Sequence, residues 1–299
     1  MNTVAVIVTY NPDFRLLSEL IRSIYAQVAG IIIVNNSESD TYKNLLDKIP
    51  SQYLDKVIVK ELNQNKGIAY AQNIGIKLAL EQKANFILLS DQDTVYPADY
   101  VESMICNYQN IDNKENVVAL VPNFREMNRG GTLQGFIEKP NYFFKRTYPE
   151  KGQHEVFQAI ASGKFLVSEI LQKVGLFDEE LFIDWVDLEW CWRAKQKGFR
   201  IIGCAEVMIN HSLGDSFVRK FKKDVPLRSP IRHYYIVRNG IFLALRSAYL
   251  TKPLRIQIGV KVLRQYLGFI ILSKDKIENF RFCSKALIHG FSGKLGKYQ

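Results

Sequence analysis

The sequence predicts an α/β fold with a mostly parallel, doubly wound sheet and a basic helical C-terminal extension. Near-continuous apolar runs fall at Val4–Thr9, Gly30–Asn35 and Asn85–Ser90, and apolar residues at helical spacing fill the intervals between them. Strands that are apolar at every position are buried on both faces, which requires helices above and below the sheet. The last third of the chain changes character, with basic residues set among aliphatic stretches.

The elements follow in order. Val4–Thr9 ends in Thr9-Tyr10-Asn11-Pro12, and Phe14–Ala26 carries Leu16, Leu17, Leu20, Ile21 and Ile24 at the spacing of one helix face. Gly30–Asn35 is the second strand, and Lys56–Lys60 is a weaker one. Ile68–Leu80 repeats the helical pattern before the third main strand at Asn85–Ser90. From Asp99 to Gln158 the pattern loosens around pieces such as Asn128-Arg-Gly-Gly131 and Tyr142-Phe-Phe144, which predicts loops and short strands over a ligand cleft. Leu188–Lys197 reads as a helix stopped by Gly198, after which Phe199–Ile202 re-enters the sheet. Basic helices begin at Arg228. One starts at Pro253, with Arg255, Gln257, Lys261, Arg264 and Gln265 marking its polar side.

Composition bounds the function. A 299-residue chain with 47% hydrophobic and 23% charged residues buries a full core and is not a disordered segment. Residues 1–210 carry 22 basic against 26 acidic side chains, a net of −4, whereas residues 211–299 carry 18 against 4, a net of +14. Such a split points to an acidic body and a basic tail that meets something anionic. Met1 leads straight into Val4–Val8 without a basic leader, and apolar stretches such as Gln265–Leu272 are far shorter than the ~20 residues that span a bilayer. A cytoplasmic or peripheral protein is expected. Cys106, Cys191, Cys204 and Cys283 form no CxxC pair, so a zinc knuckle and a disulfide framework are both disfavoured and buried thiols are expected.

The most informative residues are acidic. Asp91-Gln92-Asp93 closes the third main strand, at the sheet edge where α/β proteins bind ligands, and offers hard oxygens to a divalent metal. The alternative is a helix cap or a decorated turn. A second cluster, Asp184-Trp185-Val186-Asp187-Leu188-Glu189, adds carboxylates beyond what a metal needs, and a transfer reaction needs a base. No GxGxxG follows the first strand, so a dinucleotide fold is disfavoured. Asn35-Asn36-Ser37 has amides that can read a pyrimidine edge, or it is a turn. In Asn65-Lys66-Gly67, Lys66 can meet phosphate, while the small residues near it can serve close packing. Arg232 and Arg238 flank an aromatic pair and can clamp phosphate, or lie on a solvated helix face.

The order of these pieces resembles the family 2 glycosyltransferases of GT-A fold, particularly the rhamnosyltransferase-like branch. The matching residues are Thr9-Tyr10-Asn11, Val34-Asn35-Asn36, Asn65-Lys66-Gly67 with Ala71 and Asn73, Asp91-Gln92-Asp93, Ala161-Ser162-Gly163, Phe182–Asp187 with Arg193, His211–Gly214 and Tyr234–Asn239. The resemblance implies a catalytic domain over residues 1–215, with a nucleotide-binding half at 1–98 and an acceptor half at 99–215, followed by the basic helical region 216–299. It implies a nucleotide-sugar donor met by Thr9, Tyr10, Asn11, Asn35, Asn36, Lys66, Asn73, Asp91, Gln92, Arg232 and Arg238. Ser162, Gly163 and Trp185 are placed by it toward the acceptor, and Asp93, Asp91 and His211 at Mg²⁺ or Mn²⁺. By the family pattern the base is Asp187, counted back from Arg193; Val186 stands where the family has Glu, which leaves Asp184 as competitor.

The Gln-x-x-Arg-Trp signature of processive synthases is absent, since Trp185, Trp190 and Trp192 are the only tryptophans. The expected reaction is one inverting transfer, with L-rhamnose from dTDP-rhamnose as first donor and a UDP-hexose as alternative. The expected acceptor is a polyprenyl-diphosphate-linked glycan of bacterial surface polysaccharide (O-antigen or capsule), met on the inner face of the anionic cytoplasmic membrane. A homo-oligomer is compatible with the apolar tail helices. A non-catalytic nucleic-acid binder is the competing class; no RNP-like or helix-turn-helix pattern supports it, so no nucleic-acid partner is expected.

Overall fold

The computed structural model describes all residues except 127–129, 139–142, 212–215 and 221–222, with side chains left undescribed throughout 211–227. Parts of Asn128–Gly131 and Tyr142–Phe144, and most of His211–Gly214, therefore lie outside the described residues.

The first half is the predicted parallel core. Strands β1 (Thr3–Thr9), β2 (Gly30–Asn35), β3 (Val57–Glu61) and β4 (Phe86–Asp91) lie in the order β3-β2-β1-β4, all parallel. Helices α1 (Phe14–Ile24) and α2 (Ile68–Glu81) connect them. Asp13 starts α1 by accepting the amides of Arg15 and Leu16, so Leu17, Leu20, Ile21 and Ile24 turn together into the core. The chain reverses its winding at β1 and β4, and their carboxyl ends open the crevice where such sheets bind ligands.

The second half is mixed rather than parallel, which corrects the expected pattern. Beyond β4 come β10 (Phe165–Val167), β5 (Val117–Glu126), β11 (Arg200–His211), β9 (Gln153–Gln158), β7 (Phe136–Glu138) and β8 (Arg146–Thr147), with β6 (Thr132–Leu133) on β5. β11 runs parallel to β5, but β10 is antiparallel to β4 and β5, and β9 to β11. The reason is local. The chain reaches the ligand edge at Ala161–Gly163, where the Gly163 amide bonds Leu89 O, and β10 can only leave by running back down the sheet.

The stretch from Asp99 to Gln158 also holds more regular structure than its sequence suggests. It contains α3 (Tyr100–Gln109) and the ten-residue β5. The core-facing set of α3 is only Tyr100, Val101 and Met104, too short for a clear period. Pro122 masks β5, but it sits opposite Cys204 where the register to β11 shifts, a position that tolerates proline within a sheet. Helices α4 (Ser168–Val174) and α5 (Val186–Gln196) complete this half. Of the thiols, Cys191, Cys204 and Cys283 are buried as expected, but Cys106 is exposed, near the outer end of α3.

A hairpin, β12 (Ser216–Lys220) with β13 (Lys223–Leu227), leads to the three tail helices α6 (Pro230–Arg246), α7 (Lys252–Leu272) and α8 (Lys276–Ser292). These build a second core in which Tyr234, Val237, Ile258, Val262, Cys283 and Ala286 pack with Phe182, Trp185 and Trp192 of the body. The tail is therefore welded to the loop that carries the second acidic cluster.

Candidate active site

A cleft of about 1660 Å³ runs from the carboxyl ends of β1 and β4, past the loop before α5, to the flank of α7. Asp91, Gln92 and Asp93 at the β4 end, and Asp184, Trp185 and Asp187 around the start of α5, all line it. Tyr10, exposed at the mouth, has its backbone clamped by Gln92, whose side-chain oxygen accepts the Tyr10 amide at 2.8 Å. Asn36 also lines the cleft; its oxygen accepts the Lys66 amide at 2.8 Å, which ties the β2 end to the start of α2.

The loop Phe182–Trp185 is bent against its own preference. Phe182, Asp184 and Trp185 have φ of 64°, 61° and 67°, a left-handed conformation that costs non-glycine residues free energy and clusters at functional sites. Its restraint comes from α6. The Asn239 amide reaches the carbonyls of Leu181, Ile183 and Asp184 at 2.8, 2.9 and 3.1 Å, and Trp185 Nε1 donates to Ile236 O. Gly67 lets α2 begin against this loop: it has φ +90°, and a Cβ there would lie 2.6 Å from Phe182 O. The Ile68 amide bonds that same carbonyl at 2.8 Å.

The two candidate bases are distinguished by their partners. Asp184 is paired with Arg232, at 3.2 Å from Nε and 3.5 Å from Nη2. Asp187, in the first turn of α5, accepts the Ala161 amide at 3.1 Å and the Leu188 amide at 3.0 Å, and no cation forms an ion pair with it among the described residues. Burial raises the Asp187 pKa above the usual carboxylate range, Lys164 opposes the rise, and Asp91 adds to it. A half-buried carboxylate with a raised pKa, facing a cleft, suits proton abstraction.

Lys164 lies just outside the Ala161-Ser162-Gly163 motif. It is fully buried, 3.5 Å from the Cys191 thiol and over the rings of Trp190 at 5.1 Å and Phe177 at 5.8 Å. The signal was a lysine inside the apolar strand entry Gly163-Lys164-Phe165-Leu166-Val167.

Several expected ligand residues hold the scaffold instead. Thr9 and Asn35 are buried behind the cleft; Asn35 donates to Tyr42 O and Glu61 Oε2 and accepts from Thr9 and Ser37. Its amide is spent on shaping the strand end. Asn11 is exposed at φ 47°, its amide bound to Ser37 Oγ. Lys66 is exposed, its ammonium 5.8 Å from the Tyr70 ring, and does not line the cleft. Asn73 is buried and brackets Phe177 through both its backbone groups. Ser162 bonds Thr94 at 2.8 Å behind the wall, and Gly163, at φ +77°, packs under Pro122, so neither faces an acceptor. Arg238 is buried: it donates to Asn239 Oδ1, Gly296 O and Leu181 O, and its pKa is lowered by burial. Arg238 points into the core that α6 shares with α8, while Arg232 on the same helix lines the cleft, a division that periodicity alone does not reveal. His211 ends β11 opposite Glu126; its side chain lies outside the described residues.

For a divalent ion, the described residues contain no group of three or more His, Cys, Asp or Glu. Asp91 and Asp93 nonetheless face the same cleft, and two carboxylates completed by substrate phosphate oxygens and water satisfy Mg²⁺ chemistry. The donor set fits a hard ion.

Three comparisons bear on this site. Residues 4–174 match the model of Glycosyl transferase family 2. The chain is 33% identical to dTDP-rhamnosyl transferase RfbF of Shigella flexneri over 297 residues, covering 99% of this chain and 97% of that one. It is 22% identical to the low-salt glycan biosynthesis hexosyltransferase Agl10 of Haloferax volcanii, covering 98% and 92%. Among solved structures, S. aureus TarS 1-349 superposes with TM-score 0.59 at 16% identity, covering 97% of this chain and 81% of that one. The mannosyltransferase PcManGT of Pyrobaculum calidifontis, in complex with GDP-Man and Mn²⁺, gives 0.55 at 14% identity, covering 99% and 76%. These structures share the fold, and the family match and the near-complete alignment with RfbF set aside the non-catalytic reading. With paired acids at the β4 end and a carboxylate on α5 lining one cleft, the chain belongs to glycosyl transferase family 2 and is a glycosyltransferase.

Proposed function

We propose that this enzyme transfers L-rhamnose from dTDP-rhamnose, with inversion, to a lipid-linked glycan of a bacterial surface polysaccharide. The observation that carries the reaction type is that Asp91, Asp93 and Asp187 line one cleft, with Asp184 engaged by Arg232. The sugar and base rest on the identity to RfbF along nearly the whole chain. In this reading Tyr10 stacks on the pyrimidine at the cleft mouth, and Asn36 borders it. Asp91 and Asp93 hold Mg²⁺ or Mn²⁺, which when bound neutralises charge on the leaving diphosphate. Asp187 accepts the proton of the acceptor hydroxyl as its oxygen bonds the anomeric carbon from the face opposite the departing dTDP. A thermal-shift panel of dTDP, UDP and GDP with either metal tests the donor. Stabilisation by dTDP is expected, and stabilisation by UDP alone would replace rhamnose by a hexose donor.

The enzyme is further proposed to work peripherally on the inner face of the cytoplasmic membrane. No helix of the described residues is long and apolar enough to cross a membrane. Support comes from α7, whose exposed Ile256, Val260, Leu263, Leu267 and Ile271 recur at helical spacing away from the packed Leu254, Ile258 and Val262. α7 has no acidic residue, so this stripe suits an anionic lipid surface, where each basic residue contributes about 1 kcal/mol. Removing the tail would not test this, because α8 shares the core of α6. An I256S/L263S/L267S variant should lose flotation with anionic vesicles while keeping its Tm. Unchanged flotation would withdraw the membrane from the reading.

A further inference from the structure

The cleft continues past Trp185 along α7, away from Asp91 and Asp93. Lys261, Arg264, Gly268 and Leu272 line this end at spacings that place them on one face of the helix. Less exposed cations elsewhere have partners: Arg193 meets Glu189, Arg232 meets Asp184, and Arg238 meets backbone carbonyls, whereas Arg264, like Lys261, is exposed on α7. Lys261 and Arg264 meet no carboxylate and no carbonyl among the described residues; Lys261 lies over the Trp185 ring at 5.1 Å. Although Lys261 is exposed as a residue, desolvation around its ammonium pushes its pKa below the ordinary lysine value, and Arg146 adds to the effect. Gly268 leaves the groove open beside them, since a Cβ there would meet no atom within 4 Å. Val260, 43% exposed, and Leu272 supply an apolar border.

Two cations without internal counter-charge, set in a concave and partly apolar surface, suit an anion that carries a hydrocarbon chain. We propose that Lys261 and Arg264 form the acceptor's phosphate subsite, binding the diphosphate of a lipid-linked acceptor whose chain lies along Val260, Gly268 and Leu272. The acceptor sugar then reaches across Trp185 to Asp187, so the anchor sets which hydroxyl meets the base. This rests on the lipid-linked acceptor proposed above and adds the residues that recognise it.

The test is a titration of the full-length protein with farnesyl diphosphate, read by tryptophan fluorescence, with inorganic diphosphate and farnesol in parallel arms. Saturable binding of farnesyl diphosphate is expected, tighter than either fragment. K261Q/R264Q should weaken it by about tenfold or more, as loss of charged hydrogen bonds implies, and K261R should restore most of the loss in K261Q. Stabilisation by dTDP, measured on the same samples, should be equal in parent and variant. Absence of binding to the parent, equal affinity in K261Q/R264Q, or inorganic diphosphate binding as tightly as the lipid would each overturn the subsite. A parallel loss of dTDP binding would overturn it too, by assigning the cations to the donor. Failure of dTDP to stabilise the parent would instead strike the donor reading and leave the farnesyl diphosphate result to stand on its own.

Discussion

Asn239→Ala probes how the acidic loop is held. The Asn239 amide is fully buried, and its removal takes the hydrogen bonds from Ile183 O and Asp184 O. Leu181 O keeps Arg238 at 3.1 Å and the Ile183 amide at 2.8 Å, so it is not orphaned. The substitution also takes away Oδ1, which accepts Arg238 Nε at 2.8 Å, so three bonds are lost, two leaving poorly hydrated carbonyls and one leaving a buried guanidinium N–H, at a cost of about 5 kcal/mol together. At roughly 2 °C per kcal/mol for a chain of this size, Tm should fall by about 10 °C. The same amide opposes relaxation of Phe182, Asp184 and Trp185 from left-handed conformations that store about 1–3 kcal/mol each. Relaxation would displace Asp187 from the cleft, so kcat should fall more than dTDP affinity. Calorimetry with steady-state kinetics decides the matter: a Tm within about 1 °C of the parent and an unchanged kcat would refute a restraining role for α6.

Asp187→Asn keeps the oxygen that accepts the Ala161 amide, so donor binding should persist while turnover drops about 10²–10⁴-fold, the usual contribution of a general base. Because the folded-state pKa of Asp187 is raised by burial, its ionised form destabilises the fold above that pKa and costs nothing below the unfolded value. The variant should therefore be more stable than the parent at alkaline pH, with the gain vanishing on acidification; a pH-independent difference in Tm would contradict this. Lys164→Met removes the charge that holds the Asp187 pKa down, so the acid limb of kcat/KM should move to higher pH, and an unmoved limb would show that this charge is not felt. Arg193→Ala strips the buried Glu189 of its partner at 2.8 Å and should cost about 3–5 kcal/mol. Burial raises the Glu189 pKa, so protonation should soften that loss at low pH, which urea melts at two pH values can check.

The parallel half of the fold was legible in the chain because it is written in short-range patterns. The apolar runs at Val4, Gly30 and Asn85 lie within a residue or so of the observed strands, and the helices after them start where Asp13 and Gly67 put them. The acids at Asp91 and Asp93 were legible for the same reason, standing at a strand end whose location sets their direction. β5 and α3 were not, since Pro122 and a short core-facing set obscure the period.

Which polar residues touch a ligand and which hold the scaffold is a question the amino-acid order leaves open, because Asn36 and Asn35 are neighbours with opposite fates. Asn36 borders the cleft while Asn35 is consumed by Tyr42 and Glu61. Arg232 and Arg238 divide likewise, one at the acidic loop and one buried in the tail core, and although a lysine within the apolar entry of β10 is visible in the chain, its pairing with Asp187 is not. Local order along the chain determined the elements and the acids at their ends. Only tertiary packing decided which carboxylate of the acidic loop forms an ion pair and which does not among the described residues, because that depends on side chains brought together from strands and helices far apart in the chain.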